Sequence, residues 1–383
     1  MSKEKKIDAN EFGKIRKILD EGSLEKVTFA LDLLDSLGAG DEDYAKLFTK
    51  TRIKKLISVD SLMFNFLAGR LNQFKSALLN FKEAVNGLPP NTLTHMIGEL
   101  TELSDGAAKI LSGLNRLSLQ LDGYNVESGP TFISDNAAES LSKFDGDLWL
   151  NGLNKISDKS AENLSKHKGG SLCLNGLTEL SDEAAESLSK HKGGSLYING
   201  LTKLSDAAAE SLSKVRGDLS LEGLISLSEA AANSLSNCKS NSLNLSGLTS
   251  LSEAAVKSLS QFEGNHLYLA GLDSLSDSAA ESLSQYNGDS TENSGWLSLY
   301  GLNALSDSAV DRLSKFSGKS LSLNGVKRLS DMQAKSLSNL SSDLRMLDLD
   351  ELSDTASQYF AKSTGHLNFP FALREKVNQY RES

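Results

Sequence analysis

The amino-acid sequence predicts an α/β solenoid, in which a short strand and a short helix alternate along the chain, preceded by an all-helical segment. Three observations lead to this fold class. Leu and Ser together make up about a third of the 383 residues, a bias that indicates internal repetition. A Ser-acid dipeptide recurs from Ser104 onward at a nearly constant spacing. Before it, residues 1–90 carry apolar side chains at helical spacing.

The N-terminal segment contains five such helical patterns. Gly87 is a stop signal for the last of them, and Pro89-Pro90 then break the chain before the repeats begin. We expect residues 1–90 to form a helical domain or a cap. The predicted helices cover Asn10–Leu19, Ser23–Leu37, Asp41–Phe48, Thr51–Val59 and Asp60–Asn86.

Eleven Ser-acid anchors define the repeat. Eight of the ten spacings between them are 23 or 24 residues and two are 30, and periods of 20 to 29 are typical of solenoids. The anchors are Ser104, Ser134, Ser157, Ser181, Ser205, Ser228, Ser252, Ser276, Ser306, Ser330 and Ser353.

The unit Leu172–Lys190 shows the predicted anatomy most clearly. Leu172-Cys173-Leu174 alternates as a strand with inward leucines, and Gly176 permits the turn that follows. Ser181 is then the predicted N-cap of a short helix. We expect Gly193-Gly194 to end that helix and return the chain to the next strand. Since one unit cannot bury its own leucines, neighbouring units must stack.

The repeated phrase resembles the leucine-rich repeat family, and in particular its cysteine-containing subclass. Leu177 stands where that subclass places Cys, and Ala184-Ala185 where it places Gly-Leu. The resemblance covers roughly residues 93 to 370. It implies a right-handed, curved solenoid with a concave parallel sheet and convex short helices, which typically binds proteins. The positions that match are Leu172, Leu174, Leu177, Leu180, Ser181, Asp182, Ala184, Ala185 and Leu188.

The resemblance has two further implications. Variants of 23 to 24 residues are similar to repeats that are abundant in bacterial proteins, which favours a bacterial origin. Eukaryotic members of the subclass often carry an F-box, but residues 1–90 lack the expected Leu-Pro opening, so that role is not carried over. We expect about eleven units in residues 91–370 and a capping helix in residues 371–383.

The side chains at the outward positions of the predicted strands indicate a candidate surface for binding a partner. In a strand with inward leucines, the alternate side chains lie on the concave face. Large or charged side chains there form two groups, Trp149 with Tyr197 and a second one around Tyr268, and exposed aromatic residues commonly anchor interfaces. The alternative is that aromatic residues simply suit strands. The candidates are Trp149, Tyr197, His266, Tyr268, Trp296, Tyr300 and Arg345.

Two other features could contribute to recognition. Insertions at Tyr124–Thr131 and Asp289–Gly295 interrupt the spacing and predict surface loops, the second beside the strand of Trp296. An Asn recurs before Gly, as in Asn175-Gly176, and could form a recognition ladder. We favour ordinary turn chemistry for it. Its other occurrences are Asn151, Asn199 and Asn324.

The sequence offers little for catalysis or for cofactor binding. It has no phosphate-binding loop and no zinc-binding helix motif, and we expect no enzyme activity, no cofactor and no metal. His167 and His191 occupy equivalent loops, where we expect solvated side chains. Cys173 is predicted to be partly exposed on the sheet, and Cys238 to lie in a loop, neither with a base beside it.

Charge and hydropathy narrow the choice of partner. The net charge is −10, with +2 in residues 1–90 and −12 in the remainder, which argues against nucleic acid. No apolar run predicts a signal peptide or a membrane span, so we expect a cytoplasmic protein. The identity of the partner and the oligomeric state stay open at this point.

The predicted function is therefore non-enzymatic binding of a protein or peptide on the concave sheet. An alternative is a regulated substrate or sensor component, in which the helical segment is the effector and the repeats restrain or recruit it. A third is an accessory subunit of an enzyme.

Overall fold

The computed structural model of the protein describes residues 7–57, 61–71, 73–89, 92–93, 97, 100–122, 129–289 and 294–381. The chain divides into two compact units, residues 1–176 and residues 177–383. Each contains repeats of the predicted kind, so the α/β solenoid architecture is confirmed within each unit.

Six helices at the start of the first unit have their bounds within the described residues. Four of them match the predicted helices to within two residues at each end, whereas the predicted helix Asp60–Asn86 is wrong. It consists of two helices, because Phe74 between them is extended and its ring stacks on Tyr44 with centroids 3.7 Å apart. The helices are α1 Ala9–Glu21, α2 Leu24–Ser36, α3 Asp41–Leu47, α4 Lys50–Ile57, α5 Ser61–Leu71 and α6 Lys75–Asn86.

Strands and helices then alternate to the end of the first unit. Strand β1 pairs with β3, and β2, β4 and β5 pair in that order, all parallel. The elements are β1 Glu102–Leu103, α7 Asp105–Leu111, β2 Ser118–Gln120, β3 Phe132–Ile133, α8 Asp135–Leu141, β4 Asp147–Trp149, α9 Asp158–Leu164 and β5 Leu172–Cys173.

Helix α5 packs directly on the first repeat helix, α7. The side-chain oxygen of Asn65 accepts a hydrogen bond from the backbone N–H of Ser104, at 2.8 Å. A Cβ on Gly106 would lie 2.4 Å from the carbonyl oxygen of Ala68, so only glycine allows the two helices to approach this closely.

In the described residues of the second unit, nine helices and eight strands alternate. Its helices are α10 Asp182–Leu188, α11 Asp206–Leu212, α12 Glu229–Ser236, α13 Glu253–Leu259, α14 Asp277–Ser284, α15 Asp307–Leu313, α16 Asp331–Leu337, α17 Asp354–Ala361 and α18 Phe371–Arg381. Its strands are β6 Leu196–Tyr197, β7 Leu219–Ser220, β8 Ser242–Asn244, β9 His266–Tyr268, β10 Trp296–Ser298, β11 Ser320–Ser322, β12 Asp343–Arg345 and β13 Leu367–Asn368. The strands pair in chain order and all are parallel.

The strand register aligns one buried leucine from every repeat of the second unit. Leu219 is level with Leu243, Leu243 with Leu267, and so on through the last strand. These leucines are almost fully buried. Because side chains alternate along a strand, their neighbours lie on the opposite side, which we call the outer sheet face.

The serine anchors act as predicted. Each of the eleven is an N-cap whose hydroxyl accepts a hydrogen bond from the backbone N–H three residues later. Most also donate a hydrogen bond to the carboxylate that follows the anchor of the preceding repeat, as Ser228 does to Asp206. The caps therefore stabilise each helix and link it to the previous one.

The repeat helices end earlier than expected. Helix α10 stops at Leu188, with Ser189 as its C-cap, so Gly193-Gly194 do not terminate it. Two residues after this C-cap the chain has already turned back, because the side chain of His191 lies in the core and is 2% exposed.

His191 and its equivalent His167 are thus buried, which contradicts the prediction of solvated loops. Other repeats place Phe262 or Tyr286 at this position, so it is a core position that the loop supplies. In the first unit, the Nε2 of His167 lies 2.8 Å from the carbonyl oxygen of Gly146. In the second, the hydroxyl of Tyr286 donates to the carbonyl oxygen of Gly264 at 2.7 Å.

Within the described part of the chain, none of the helices combines the length and the apolar character needed to cross a membrane.

Candidate functional site

The outer sheet face of the second unit carries a compact aromatic cluster. It consists of His266, Tyr268 and Trp296, from the adjacent strands β9 and β10. The rings of His266 and Tyr268 are nearly parallel, with centroids 6.2 Å apart, and the rings of His266 and Trp296 lie 5.6 Å apart at 44°. The three side chains thus form one contiguous aromatic surface with ring spacings typical of aromatic pairs.

Arg345 extends the aromatic cluster by two strands. Its guanidinium carbon lies 4.5 Å from the centroid of the Trp296 ring, within cation-π range. The intervening strand contributes Ser320, which is level with Trp296 and only 2% exposed. Ser320 was expected among the outward positions, but two large side chains meet beside it and exclude water.

Two exposed side chains lie at the strand ends beside this cluster. Tyr300 follows β10 and Leu347 follows β12, and they are 50% and 47% exposed. Sequence reasoning found Tyr300 but missed Leu347. The sequence could have indicated Leu347 as well, because Tyr300 and Leu347 each follow the second inward residue of their repeats.

Tyr197 lies on the same face, on β6, three strands from Tyr268. The register places Ser220 and Asn244 between them. Strands are about 4.8 Å apart, so the two tyrosines stand roughly 14 Å apart above a floor of small side chains. The structure thus brings Tyr197 and the aromatic cluster onto one face of the second unit, with small polar side chains between them.

Burial perturbs the titration of the aromatic cluster. It lowers the pKa of His266, although the negative charge of Asp218 opposes this effect. Burial also raises the pKa of Tyr268, and Asp218 acts in the same direction. At neutral pH the face therefore presents an uncharged imidazole and an uncharged phenol, with one carboxylate nearby.

Trp149 belongs to the first unit, where it is 39% exposed on β4. The neighbouring strand places Cys173 beside it. Cys173 was predicted to be partly exposed but is buried, because a small side chain next to a large one is covered. Burial, together with the charges of Asp147 and Asp122, raises the pKa of the Cys173 thiol to about 12. The pairing of Trp149 with Tyr197 stays a prediction.

The remaining cysteine, Cys238, is in a loop as expected but is also buried, and burial raises its pKa. A thiol in this state is a poor nucleophile. Among the described residues, no group of three or more His, Cys, Asp or Glu side chains is arranged to hold a metal ion.

The recurring asparagines lie in turns, which agrees with the prediction of turn chemistry, and their side chains also link successive repeats. The side-chain oxygen of Asn199 accepts a hydrogen bond from the backbone N–H of Glu222, at 3.2 Å, and that of Asn324 accepts one from Leu347, at 3.0 Å. In the first unit Asn151 does the same for Asn175, at 3.1 Å. These oxygens satisfy backbone donors within the fold.

The two insertions lie largely outside the described residues. Residues 123–128 and 290–293 are not described, so the predicted recognition loops stay predictions.

No family model and no curated protein matches the chain. Solved structures do show similarity. The chain is similar to one in a structure of the Drosophila Toll–Spatzle complex, with 16% identity over 70% of this chain and 38% of that one and a TM-score of 0.42. A chain in the glycosylated form of that complex is also similar, with 16% identity over 70% of this chain and 43% of that one and a TM-score of 0.40. The yeast Rad7 and Elc1 complex gives 16% identity, 94% and 91% coverage, and a TM-score of 0.28. The chain spans less than half the length of the first two chains it matches.

Proposed function

We propose that the second unit binds a protein or peptide on its outer sheet face. The observation that carries this proposal is the aromatic cluster with Arg345 stacked on Trp296, flanked by the exposed side chains of Tyr300 and Leu347. Tyr, Trp and Arg are the residue types that most often dominate binding energy. A binding surface whose rings are already packed together loses little conformational entropy when a partner docks.

The proposed role is non-enzymatic. Both thiols are buried with raised pKa values, so they are unsuited to nucleophilic catalysis. Helix α5 packs on α7 through Asn65 and Gly106. This contact supports the proposal that the N-terminal helices cap the repeats, rather than the alternative that they are an effector. We further propose that the repeats are of the cysteine-containing, bacterial type, because the repeated phrase resembles that type. We also propose that the protein acts in the cytoplasm.

The test compares capture of partners by three forms of the full-length protein. These are the wild type, a Trp296→Ala, Tyr300→Ala double variant, and a control with two exposed apolar side chains removed elsewhere, Ile225→Ala and Met332→Ala. Circular dichroism checks that all three are folded. We expect a protein captured by the wild type and by the control to be lost from the Trp296 double variant. Equal capture by all three forms would place the binding surface elsewhere.

A further inference from the structure

The outer sheet face has a second feature, a carboxylate next to the aromatic cluster. We propose that this face binds an extended peptide carrying a Lys or Arg about three or four residues from a large apolar side chain, with the cation held above Ser242 between Asp218 and the ring pair of His266 and Tyr268. This inference deepens the proposed function and rests on it.

Asp218 is the residue that sets the charge preference. Asp218 directly precedes Leu219, which is level with Leu243, and Ser242 directly precedes Leu243 and is level with His266. The register continued by one residue therefore sets a carboxylate and an imidazole on either side of a small side chain. The negative charge of Asp218 acts on both His266 and Tyr268 and raises the pKa of each. Among the described residues, Asp218 forms no ion pair and its carboxylate accepts no hydrogen bond. Most helix-capping acids, by contrast, bind a serine hydroxyl of the next repeat, as Asp206 does.

The rings of His266 and Tyr268 lie across Ser242 from Asp218, and they can contact a cation that is bound above Ser242. The rings of His266 and Tyr268 are 8° from parallel, and Tyr268 is 37% exposed. Since burial keeps His266 uncharged at neutral pH, the imidazole does not repel a positive ligand. An aromatic face beside a carboxylate is the usual chemistry of a site for ammonium or guanidinium groups.

The charges around the site are complementary to such a ligand. The outward positions of strands β6 to β9, from Ser195 to Ala270, include the carboxylates of Asp218 and Glu222 but no Lys or Arg. Farther along, the face already holds one guanidinium on an aromatic ring, that of Arg345 on Trp296. The protein's own side chain thus demonstrates the contact that we propose for the ligand.

The spacing follows from the sheet. Asp218 directly precedes β7 and is three strand steps, or roughly 14 Å, from Trp296 on β10, whereas Ser242 on β8 is two steps, or roughly 10 Å, from it. An extended peptide that crosses the strands advances about 3.3 to 3.6 Å per residue, so three to four residues span these distances. A cation at the first position would then bring an apolar side chain over Trp296, toward Tyr300.

The first experiment selects binders from a library of random nonapeptides displayed on their encoding nucleic acid. The targets are the full-length wild type, Asp218→Asn and Glu210→Gln. Glu210 is an exposed acid of α11, so its variant loses the same charge from the helical side. We expect peptides selected by the wild type and by the control to carry Lys or Arg three or four residues from Leu, Phe or Trp. Asp218→Asn should lose the cation preference and keep the apolar one.

The second experiment measures the affinity of the best selected peptide by fluorescence anisotropy. Asp218→Asn should weaken binding about tenfold, the loss expected for a charge pair, and Glu210→Gln less than twofold. Replacing the peptide's Arg or Lys with Gln should lower its affinity for the wild type by about the same tenfold. The same replacement should not lower the affinity for Asp218→Asn any further.

The outcomes separate the two proposals. Peptides selected without a cation, or with the same preference in Asp218→Asn, would overturn this inference and leave the binding surface intact. If the wild type selects no peptide at all, this inference fails, and the capture experiment with the Trp296 double variant then decides the proposed function separately.

Discussion

The hydrogen-bond ladder of helix caps makes a quantitative prediction at Ser228. Its hydroxyl oxygen accepts from the backbone N–H of Ala231 at 2.9 Å, and its proton is donated to the carboxylate of Asp206 in the preceding repeat. Ser228→Ala removes both bonds at once. Ser228→Thr keeps the hydroxyl, so it is the matched control.

The expected cost follows from the two bonds. Loss of a Ser N-cap costs about 1 kcal/mol. The bond to Asp206 is exposed, so its contribution is about 0.5 to 1 kcal/mol. We therefore expect Ser228→Ala to lower the local free energy of opening by about 1.5 to 2 kcal/mol, which raises hydrogen exchange about ten- to thirtyfold.

The assay is amide hydrogen exchange at Ala232, whose N–H binds the backbone carbonyl of Ser228 at 2.9 Å and is not itself removed by the substitution. Asp206→Asn should raise exchange at Ala232 by a smaller factor, and combining it with Ser228→Ala should add little. If Ser228→Ala exchanges within twofold of the wild type, or Ser228→Thr exchanges as fast as Ser228→Ala, the hydroxyl does not link the repeats as the structure indicates.

Three further predictions concern the core. Gly223→Ala would place a Cβ 1.9 Å from the carbonyl oxygen of Asn199, so urea denaturation should show a loss of about 3 kcal/mol, whereas Gly69→Ala, which meets nothing within 4 Å, should cost nothing. Burial lowers the pKa of His167 from its ordinary value of 6.5, so the unfolded state binds its proton first and stability falls as the pH drops below 6.5. His167→Phe should abolish this contribution, at most about 1.4 kcal/mol at pH 5.5, and an unchanged pH profile would contradict it. Cys173, with a pKa of about 12, should react with iodoacetamide at least tenfold more slowly in the native protein than in urea; equal rates would mean that it is accessible.

Local and periodic features of the chain are readable from the sequence. The eleven serine caps, the inward leucines and the outward aromatic positions follow from spacing alone, because capping depends on the next three residues and strand side chains alternate with a period of two. The same logic found the closing helix α18. It failed at Phe74, where a ring in contact with Tyr44 outweighs a continuous helical pattern.

The candidate binding face was only partly predictable. The sequence selected Tyr268, Trp296 and Arg345 by their outward positions, but the contact between Arg345 and Trp296 joins strands that are not neighbours and depends on side-chain conformation. It missed Asp218 as part of a site, because a single acid in a repeat has no distinguishing pattern until the register brings it level with His266.

The sequence by itself determined the repeating unit, its caps and which residues face the outer side of the sheet. Only the tertiary structure decided which of those residues are exposed. Cys173 and Ser320 share the outward positions with Trp149 and Trp296 yet are buried, while His167 and His191 fill the core from polar loops. The reason is physical: direction along a strand is set by the backbone, whereas burial depends on the size of side chains from repeats more than 20 residues away.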